Sequence, residues 1–346
     1  MPYNQRMRGA LDSRTAGIEA EGDFGDEPAQ RGWGHARAPR HRDTADTGLP
    51  GSGRSGLPPA LDADVFFLQG INCYLAGSGA PLLLVHDVDA TASAAELRPV
   101  VEHYRAQRTV FAPDLPGFGL SERGERPYTP RLMTDAVQAV GTQIGLRCAG
   151  APIDALAVGL GCEFLARAAA EAPQRYARLA FVDPTGLRSG RPLRAAPGST
   201  RTVPALRAMI RSPAWSDALF RAWTRPSAVR HRLERRWGSR AIDEALCDYD
   251  LHSARQPGAR FAPMHYLAGS LSSADIHTVY ERLPQPVWVC LGLPGAQVDL
   301  DGLAQVRRHW RLSLLHSGAV PFLGQANAFF DEFDAFLLAT VAPPAR

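Results

Sequence analysis

Short, mainly apolar runs alternate with amphipathic segments along the greater part of the chain. The apolar runs, each bounded by glycine, proline or polar residues, occupy residues 81–85, 109–112, 153–158, 179–182, 287–291 and 312–315. Runs of this kind are typical of strands that are covered on both faces of a sheet. Helical periodicity occupies residues 94–104, 130–144, 161–172, 303–309 and 328–340. The alternation of strand and helix predicts an α/β fold with a mostly parallel, doubly wound sheet.

Two shorter β-like runs, at residues 65–68 and 71–75, precede this alternation. The sequence Gly-Ser-Gly at 77–79 follows them, and it predicts a hairpin turn. Residues 1–60 consist largely of Gly, Arg, Asp, Pro and Ser, with almost no apolar periodicity. Such a composition cannot bury enough apolar surface to offset the entropy of ordering, so we expect a disordered N-terminal extension.

The alternation of strands and helices stops after residue 184 and resumes near residue 284. Residues 185–283 carry short helical patterns, several Trp and many Arg, but they contain no apolar run of the buried-strand type. We interpret this segment as a helical cap that is inserted into a single-domain core. The two parts of that core are then residues 61–184 and 284–342.

The apolar run at 153–158 passes directly into a helical pattern through the sequence Gly-Leu-Gly at 159–161. A corner of this kind, with small residues two positions before and after its centre, has the form of a nucleophile elbow, G-x-S-x-G. Ala157 and Gly161 meet the steric requirement, but the central residue is Gly159, where the chemistry requires Ser, Cys or Asp. The elbow is therefore present without its nucleophile.

Three further segments match one known family. Residues 114–121 read D-L-P-G-F-G-L-S and match the pattern D-x-P-G-x-G-x-S, His86 ends a strand as the His of a His-Gly pair does, and residues 179–186 match the strand before the cap. With the order of the elements, these segments make the chain resemble the α/β-hydrolase superfamily over about residues 63–342. The resemblance implies the α/β-hydrolase fold and a mechanism in which Ser attacks a carbonyl, His accepts its proton and a carboxylate orients the His.

The resemblance also places the catalytic triad, and all three positions carry residues that cannot perform its chemistry. The nucleophile position is Gly159, the acid position is Gly295 and the base position is Ala319. The nearest carboxylates to the acid position are Asp299 and Asp301, and we interpret Asp301 as a helix cap. Removing such a nucleophile costs a factor of about 10⁶ in rate. Three losses in separate segments therefore predict that hydrolysis by this mechanism is absent.

An oxyanion-binding pocket is also implied by the resemblance. It would consist of the N–H groups of Leu160, which follows the nucleophile position, and of Val88, in the loop after His86. These backbone groups are present whatever the side chains are. The family's glycine in this loop is Asp87 here, and a carboxylate beside a developing oxyanion would repel it.

Displaced groups offer an alternative, in which the protein is a working ester-type hydrolase or a lyase. Cys162 lies in the first helical turn after the elbow, where a helix N-terminus lowers the pKa of a thiol, although buried cysteine is more often inert. His316 lies at a strand end, three residues before the base position. His86 and Asp87 form a candidate acid–base pair for proton abstraction; in the structural alternative, His86 braces its loop through hydrogen bonds.

Composition argues against several other classes of function. The net charge of +3 is too weak to indicate a nucleic acid or an acidic membrane surface as partner, and no apolar run approaches the ~18 residues of a membrane span. All basic residues other than His are Arg, which indicates a GC-rich, bacterial genome. The five cysteines form no C-x-x-C pair and favour a reduced, cytoplasmic compartment. Neither a metal-ligand cluster nor a phosphate-binding loop is found, so no cofactor is expected.

The predicted cap carries a run of arginines interleaved with Leu233 and Trp237: Arg225, Arg230, Arg232, Arg235, Arg236 and Arg240. On a helix this run forms a basic face, which is usually solvated but would also meet an acidic protein partner or an anionic ligand over the pocket. Our leading hypothesis is a catalytically deficient protein of the α/β-hydrolase type. It would bind a small, largely apolar molecule, or a protein partner, through the pocket and the cap.

Overall fold

The computed structural model describes residues 56–187, 194–294 and 310–339. The strands in these ranges are β1 Asp64–Leu68, β2 Ile71–Ala76, β3 Ala80–Val85, β4 Arg108–Pro113, β5 Ile153–Val158, β6 Tyr176–Val182, β7 Val287–Pro294 and β8 Trp310–Ser317. They form one sheet in the order β1-β2-β4-β3-β5-β6-β7-β8. β2 is antiparallel to its neighbours β1 and β4, and all other neighbouring strands are parallel. The predicted mostly parallel sheet is therefore confirmed.

The helices of the described ranges are α1 Arg98–Tyr104, α2 Pro130–Arg147, α3 Gly161–Glu171, α4 Pro204–Ile210, α5 Pro213–Trp223, α6 Pro226–Trp237, α7 Glu244–Ala254, α8 Phe261–Leu267, α9 Ile276–Tyr280, α10 Pro321–Gly324 and α11 Ala326–Leu338. Helices α4 to α9 lie between β6 and β7, and we call the described residues 194–286 the cap. None of these helices combines the length and the apolar character that a membrane span requires.

Each parallel strand sends alternate residues into one of two hydrophobic cores, because successive side chains of a strand point to opposite faces. In β3, Leu83 and Val85 face the core that contains α2 and α3, whereas Leu82 and Leu84 face the core that contains α1 and α11. All four side chains are fully buried. Burial on both faces explains why the strand is a continuous apolar run in the sequence.

The hairpin predicted at Gly77–Gly79 is wrong. β2 and β3 follow one another in the chain, but β4 lies between them in the sheet. The hairpin joins β1 to β2 through Gln69 and Gly70, whose φ angles of 51° and 80° are those that a two-residue type I′ turn requires. Glycine is needed at 77 because a Cβ there would lie 2.1 Å from the Arg105 carbonyl oxygen.

The loop after β4, which carries the D-x-P-G pattern, is a rigid support for the site. The buried carboxylate of Asp114 accepts hydrogen bonds from Asn72 Nδ2 (2.8 Å), Ala94 N (2.9 Å) and Leu120 N (2.9 Å). The Ser121 hydroxyl donates to the Asp114 carbonyl oxygen at 2.6 Å. A buried carboxylate is tolerated only when its oxygens are satisfied in this way. This part of the pattern therefore holds β2, the β4 loop and the start of a 3₁₀ turn together.

The end of the segment predicted to be disordered is packed against the core. Leu57 and Ala60 fall within the segment expected to be disordered, but both are buried against the core that contains α1. The Ala60 N–H also donates to the Tyr74 hydroxyl at 2.9 Å. Two apolar residues are too few to produce a periodicity, which is why this short ordered stretch gives no sequence signal.

Some predictions fall on residues that the structure does not describe. They concern the extension over residues 1–55, the acid position Gly295 with its neighbours Asp299 and Asp301, and the helix at 303–309. The boundaries given for the cap and for the two parts of the core also stay predictions.

Candidate functional site

The strand-to-helix corner predicted at Gly159 is confirmed. Gly159 lies between β5 and α3 and has a φ of 54°, in the left-handed region that strains other residues. Its N–H donates to the Val182 carbonyl oxygen at 2.9 Å, which fixes the corner against β6. At Gly161, a Cβ would lie 2.4 Å from the His86 carbonyl oxygen. The corner therefore requires a small residue at 161, as the elbow pattern predicts.

Asp87 lies two residues beyond β3, and its carboxylate reaches the elbow. One carboxylate oxygen, Oδ1, accepts hydrogen bonds from the N–H groups of Val88 (2.7 Å) and Leu160 (2.8 Å). These are the two backbone groups that were predicted to bind an oxyanion, and an oxygen held by both stands where a substrate oxyanion would lie. From the sequence, Asp87 was expected to repel an oxyanion. In the structure its side chain does more, because it fills the oxyanion pocket.

The same carboxylate excludes a side chain from the nucleophile position. An ideal Cβ on Gly159 would lie 2.0 Å from Asp87 Oδ1 and 2.2 Å from Asp87 Cγ. Non-bonded heavy atoms are attractive only at roughly 3.5–4.0 Å, so these distances are strongly repulsive. A serine at 159 and the observed position of Asp87 are therefore mutually exclusive.

A guanidinium group of the cap holds this loop from the other side. Arg236 Nη2, on α6, lies 2.6 Å from Glu96 Oε2 and 3.7 Å from Asp87 Oδ2, while Arg236 Nη1 lies 3.5 Å from Asp89 Oδ2. Glu96 Oε1 in turn accepts a hydrogen bond from the Asp87 N–H at 2.6 Å. The side chains of Arg236 and Glu96 are only 12% and 6% exposed. One buried guanidinium thus pairs with three carboxylates and ties the cap to the loop after β3.

Sequence reasoning missed Glu96 and Asp89 and treated Arg236 only as one member of an arginine run. Arg230, Arg232 and Arg236 in fact pair with acidic residues of the protein itself. A usable signal was their spacing, since residues four apart lie on one face of a helix. Arg232 and Arg236 do share a partner, because both lie within 3.6 Å of Asp89 Oδ2.

Burial shifts the pKa values of the acidic residues in this network. Burial raises the pKa of Asp87 to about 6 and that of Glu96 to about 7, although the positive charge of Arg236 opposes both shifts. The negative charge of Asp89 raises both values further. A single guanidinium does not offset the desolvation of several carboxylates. The folded protein therefore favours the protonated form of these acids more than the unfolded chain does.

His86 is fully buried, and backbone groups occupy both of its ring nitrogens. Nε2 accepts a hydrogen bond from Leu115 N at 2.8 Å, so Nδ1 carries the proton and donates to the Asp87 carbonyl oxygen. Burial lowers the pKa of His86 and keeps the ring neutral. The imidazole therefore braces the loop, and the predicted acid–base pair with the Asp87 side chain is not formed.

Cys162 does not have the character of a nucleophile. Its side chain is fully buried, and its thiol donates to the Ala157 carbonyl oxygen at 3.2 Å. Burial raises the pKa of this thiol well above its ordinary value, and the negative charges of Asp87 and Asp183 raise it further. The helix N-terminus was expected to lower this pKa, but desolvation and the neighbouring carboxylates outweigh it.

His316 is not brought to the elbow. It is an exposed residue near the end of β8, in register with Leu293 of β7, and it does not line the cavity between the elbow and α6. Its neighbour Ser317 does line that cavity, and successive side chains of a strand point to opposite faces, so the side chain of His316 points away from it. Ala319, three residues later, does reach the cavity.

A cavity of about 440 Å³ opens between the elbow, α6 and the loop after β8. It is lined by Asp87, Asp89, Val158, Gly159, Asp183, Arg232, Arg235, Arg236, Gly238, Ser317, Gly318, Ala319 and Val320. The positions of the nucleophile and the base thus share one cavity. Within the described ranges, no group of His, Cys, Asp and Glu side chains is arranged to hold a metal ion.

The charged residues that line the cavity differ in whether they already have partners within the protein. Asp87 accepts two N–H bonds, and Asp89 accepts hydrogen bonds from the N–H groups of Thr91 (2.7 Å) and Ala92 (2.8 Å). Arg235, by contrast, is exposed and forms no ion pair with any residue of the described ranges. The cavity therefore offers a positive charge that is still available to a ligand.

No protein-family model matches the sequence, and no curated protein matches it. Solved structures match it in fold at low sequence identity. The 2-hydroxy-6-oxo-6-phenylhexa-2,4-dienoate hydrolase BphD of Rhodococcus sp. strain RHA1 is 19% identical, with a TM-score of 0.62 over 80% of this chain and 100% of that one. Cfl2 of Burkholderia cenocepacia is 20% identical, with a TM-score of 0.61 over 79% of this chain and 94% of that one.

A third structure, a thermophilic esterase from Thermogutta terrifontis with malate bound, is 18% identical, with a TM-score of 0.57 over 77% of this chain and 93% of that one. The eight-stranded, mostly parallel sheet with its flanking helices agrees with this likeness. The chain therefore has the α/β-hydrolase fold, as the sequence resemblance implied. A shared fold does not carry an activity with it.

Proposed function

We propose that this protein of α/β-hydrolase fold does not hydrolyse substrates by a Ser-His-Asp mechanism and instead binds a small molecule in the cavity between the elbow and α6. One observation carries the proposal. Asp87 Oδ1 accepts hydrogen bonds from both Val88 N and Leu160 N, beside a glycine at the nucleophile position. Oxyanion stabilisation and nucleophilic attack are thus both absent from the same corner.

Without a nucleophile and without free oxyanion-hole donors, residual catalysis by a Ser-His-Asp mechanism is negligible. Removing a triad nucleophile costs a factor of about 10⁶ in rate. Removing a single oxyanion-hole donor costs about 10²–10³, and here both donors are already engaged by Asp87. A substrate carbonyl would have to displace a carboxylate of the protein before it received either hydrogen bond.

The ligand we propose is a small carboxylate rather than the largely apolar molecule expected from the sequence. Asp87 and Asp89 have partners within the protein, whereas the guanidinium of Arg235 has none among the described residues. A guanidinium binds a carboxylate through two parallel hydrogen bonds. Two of the similar structures support this class by their descriptions, one as a dienoate hydrolase and the other as bound to malate.

Thermal unfolding with and without malate tests the binding proposal. A ligand at a hundredfold excess over its Kd stabilises a protein by about 2.7 kcal/mol, so a site of this kind gives a clear rise in Tm. Malate is expected to raise the Tm of the wild type but not that of Arg235→Gln. Arg240→Gln, which changes an exposed arginine outside the cavity lining, is the matched control. Equal stabilisation by dimethyl malate would contradict a carboxylate-specific site.

A second candidate function is proton abstraction by Asp87, and the raised pKa of this residue favours it. A general base works best with a pKa near the working pH, and Asp87 lines the cavity with 23% of its side chain exposed. Asp87→Asn separates the two candidates, because Asn keeps an oxygen for the two N–H groups and loses the base. An activity that this single change abolishes would support the second candidate.

A further inference from the structure

The cap contains two consecutive helices that the other described residues cover only in part, through packing of Ile210, Leu219 and Trp223 on the cluster of Phe220, Ala259 and Met264. α4 has no buried residue, and α5 buries only two of its 11 residues. The exposed fraction of the side chains reaches 51% for Val203, 42% for Met209 and 63% for Trp215. A helix as short as α4 is marginal in water without packing of its apolar residues. We call residues 203–225 the arm.

The two largest exposed apolar side chains of the arm flank its central turn. Met209 lies near the end of α4, and Trp215 lies in the first turn of α5. The Ser212 N–H donates to the Met209 carbonyl oxygen at 3.2 Å, so the connection between the helices is tight. A thioether and an indole are therefore presented at the same end of the helical pair. Tryptophan is the side chain most typical of a boundary between an apolar phase and water.

The arm is also basic, and the structure shows no acidic partner for its arginines among the described residues. Four of its arginines are exposed and form no ion pair with any residue of the described ranges: Arg207, Arg211, Arg221 and Arg225. Asp217 is the sole acidic residue in the sequence of the arm, and it pairs with Arg260 at 3.1 Å. Since the whole chain has a net charge of only +3, this is a local concentration of positive charge.

We propose that the arm binds the surface of a membrane that contains anionic lipids. Exposed Trp and Met among arginines form the composition of helices that lie in the plane of a lipid–water interface. Any acidic surface would suit the arginines, but an indole and a thioether at one turn suit insertion into the headgroup region. The weak net charge and the lack of a spanning segment argued against a membrane partner, yet neither property opposes peripheral binding. The proposal does not depend on the function proposed for the cavity.

Co-sedimentation of the full chain with sucrose-loaded vesicles tests the proposal. Vesicles of phosphatidylcholine alone are compared with vesicles in which about a third of the lipid is phosphatidylglycerol, at low and high salt. We expect binding only to the anionic vesicles, and weaker binding at high salt because the surface charge is then screened. Each arginine near such a surface strengthens binding about fivefold. The double variant Arg211→Gln and Arg221→Gln should therefore bind roughly 25-fold more weakly.

Two single variants distinguish insertion of Trp215 into the headgroup region from a general effect of exposed apolar residues. Trp215→Ser should weaken binding to the anionic vesicles about tenfold or more, since an interfacial aromatic side chain is lost. Phe67→Ser, which changes an equally exposed aromatic residue on β1, should bind as the wild type does. Absence of sedimentation, equal binding to both vesicle types or an unchanged Trp215→Ser variant would overturn the proposal. So would a lipid-free dimer that Trp215→Ser dissociates, because a second copy would then be the partner.

Discussion

Asp87 Oδ1 lies 2.8 Å from the amide nitrogen of Leu160, so a carboxylate of the protein takes the place of a substrate oxyanion. The contact is possible because Gly159 has no side chain, since a Cβ there would lie 2.0 Å from the same oxygen. The loop after β3 and the elbow are therefore matched to each other. Introducing a nucleophile at 159 alone would therefore not free the N–H groups of Val88 and Leu160 from Asp87.

The mutual exclusion of Asp87 and a side chain at 159 predicts a specific coupling between the two positions. Gly159→Ser should lower the free energy of unfolding by about 2–4 kcal/mol, because it combines left-handed strain with overpacking. The double variant Asp87→Gly and Gly159→Ser should recover at least about 1 kcal/mol of this loss, because the overlap is removed. Urea unfolding of the four proteins of the cycle measures the coupling.

Gly150 provides the matched control for backbone strain. Its φ of 75° is also left-handed, but a Cβ there would meet no atom within 4 Å. Gly150→Ser should therefore cost only about 1 kcal/mol and should be insensitive to Asp87→Gly. Equal costs at 150 and 159, or additive behaviour of Asp87→Gly with Gly159→Ser, would show that Asp87 does not occupy the corner.

The pairing of Arg236 with three carboxylates predicts that it is a major stabilising contact of the cap. Arg236→Met should lower the free energy of unfolding by about 3–5 kcal/mol, because it leaves buried carboxylates without their counter-charge. Arg235→Met, on the same helix but exposed and without an ion pair among the described residues, should change it by less than about 0.5 kcal/mol. Chemical denaturation monitored by far-UV circular dichroism compares the two variants.

The raised pKa of Glu96 predicts how stability depends on pH. Folding raises this pKa from its ordinary value of 4.5 to about 7, so between these values the folded state binds more protons than the unfolded state. The contribution of Glu96 to stability is therefore largest below pH 4.5 and is lost as the pH rises through about 7.

Glu96→Gln removes this titration, so its free energy of unfolding relative to the wild type should rise between about pH 5 and pH 8, by on the order of 2 kcal/mol. The comparison with the wild type at each pH cancels the opposing titration of His86, which both proteins share. A difference that stays constant, or falls, over this range would show that the Glu96 carboxyl is not buried as described.

The buried state of Cys162 predicts its chemical inertness. Cys148 is the single cysteine that is not buried, and the other four are buried. In the native protein, 5,5′-dithiobis(2-nitrobenzoic acid) should therefore modify one thiol rapidly, and in denaturant all five cysteines of the sequence should react. If mass spectrometry showed that Cys162 is modified rapidly in the native protein, Cys162 would again be a candidate nucleophile.

The sequence could predict most of the sheet because its strands are buried on both faces. Leu82–Val85 is a continuous apolar run for this reason, and the helices between strands show their own period. The hairpin at Gly77–Gly79 was wrong because strand order within a sheet is not encoded in local turn chemistry. Gln69 and Gly70, which do form the hairpin, are not one of the Asn-Gly or Asp-Gly pairs that mark a two-residue turn most strongly.

The site was predictable in its backbone and not in its side-chain contacts. The elbow at Gly159 and the two N–H groups follow from local patterns that resemble a known family. The occupation of those groups by Asp87 depends on where a loop side chain turns, and the pairing of Glu96 with Arg236 joins residues 140 positions apart. Long-range pairings of charged side chains leave no periodic trace in a single sequence, so they became visible only in the fold.

The most direct test of the central claim is the rate of p-nitrophenyl butyrate hydrolysis by the highly purified protein, measured against a heat-denatured sample. With the oxyanion pocket occupied by Asp87 and glycine at the nucleophile position, the two rates should be equal. A rate that exceeds the control, copurifies with the protein and is lost in Cys162→Ala or His316→Ala would contradict the account.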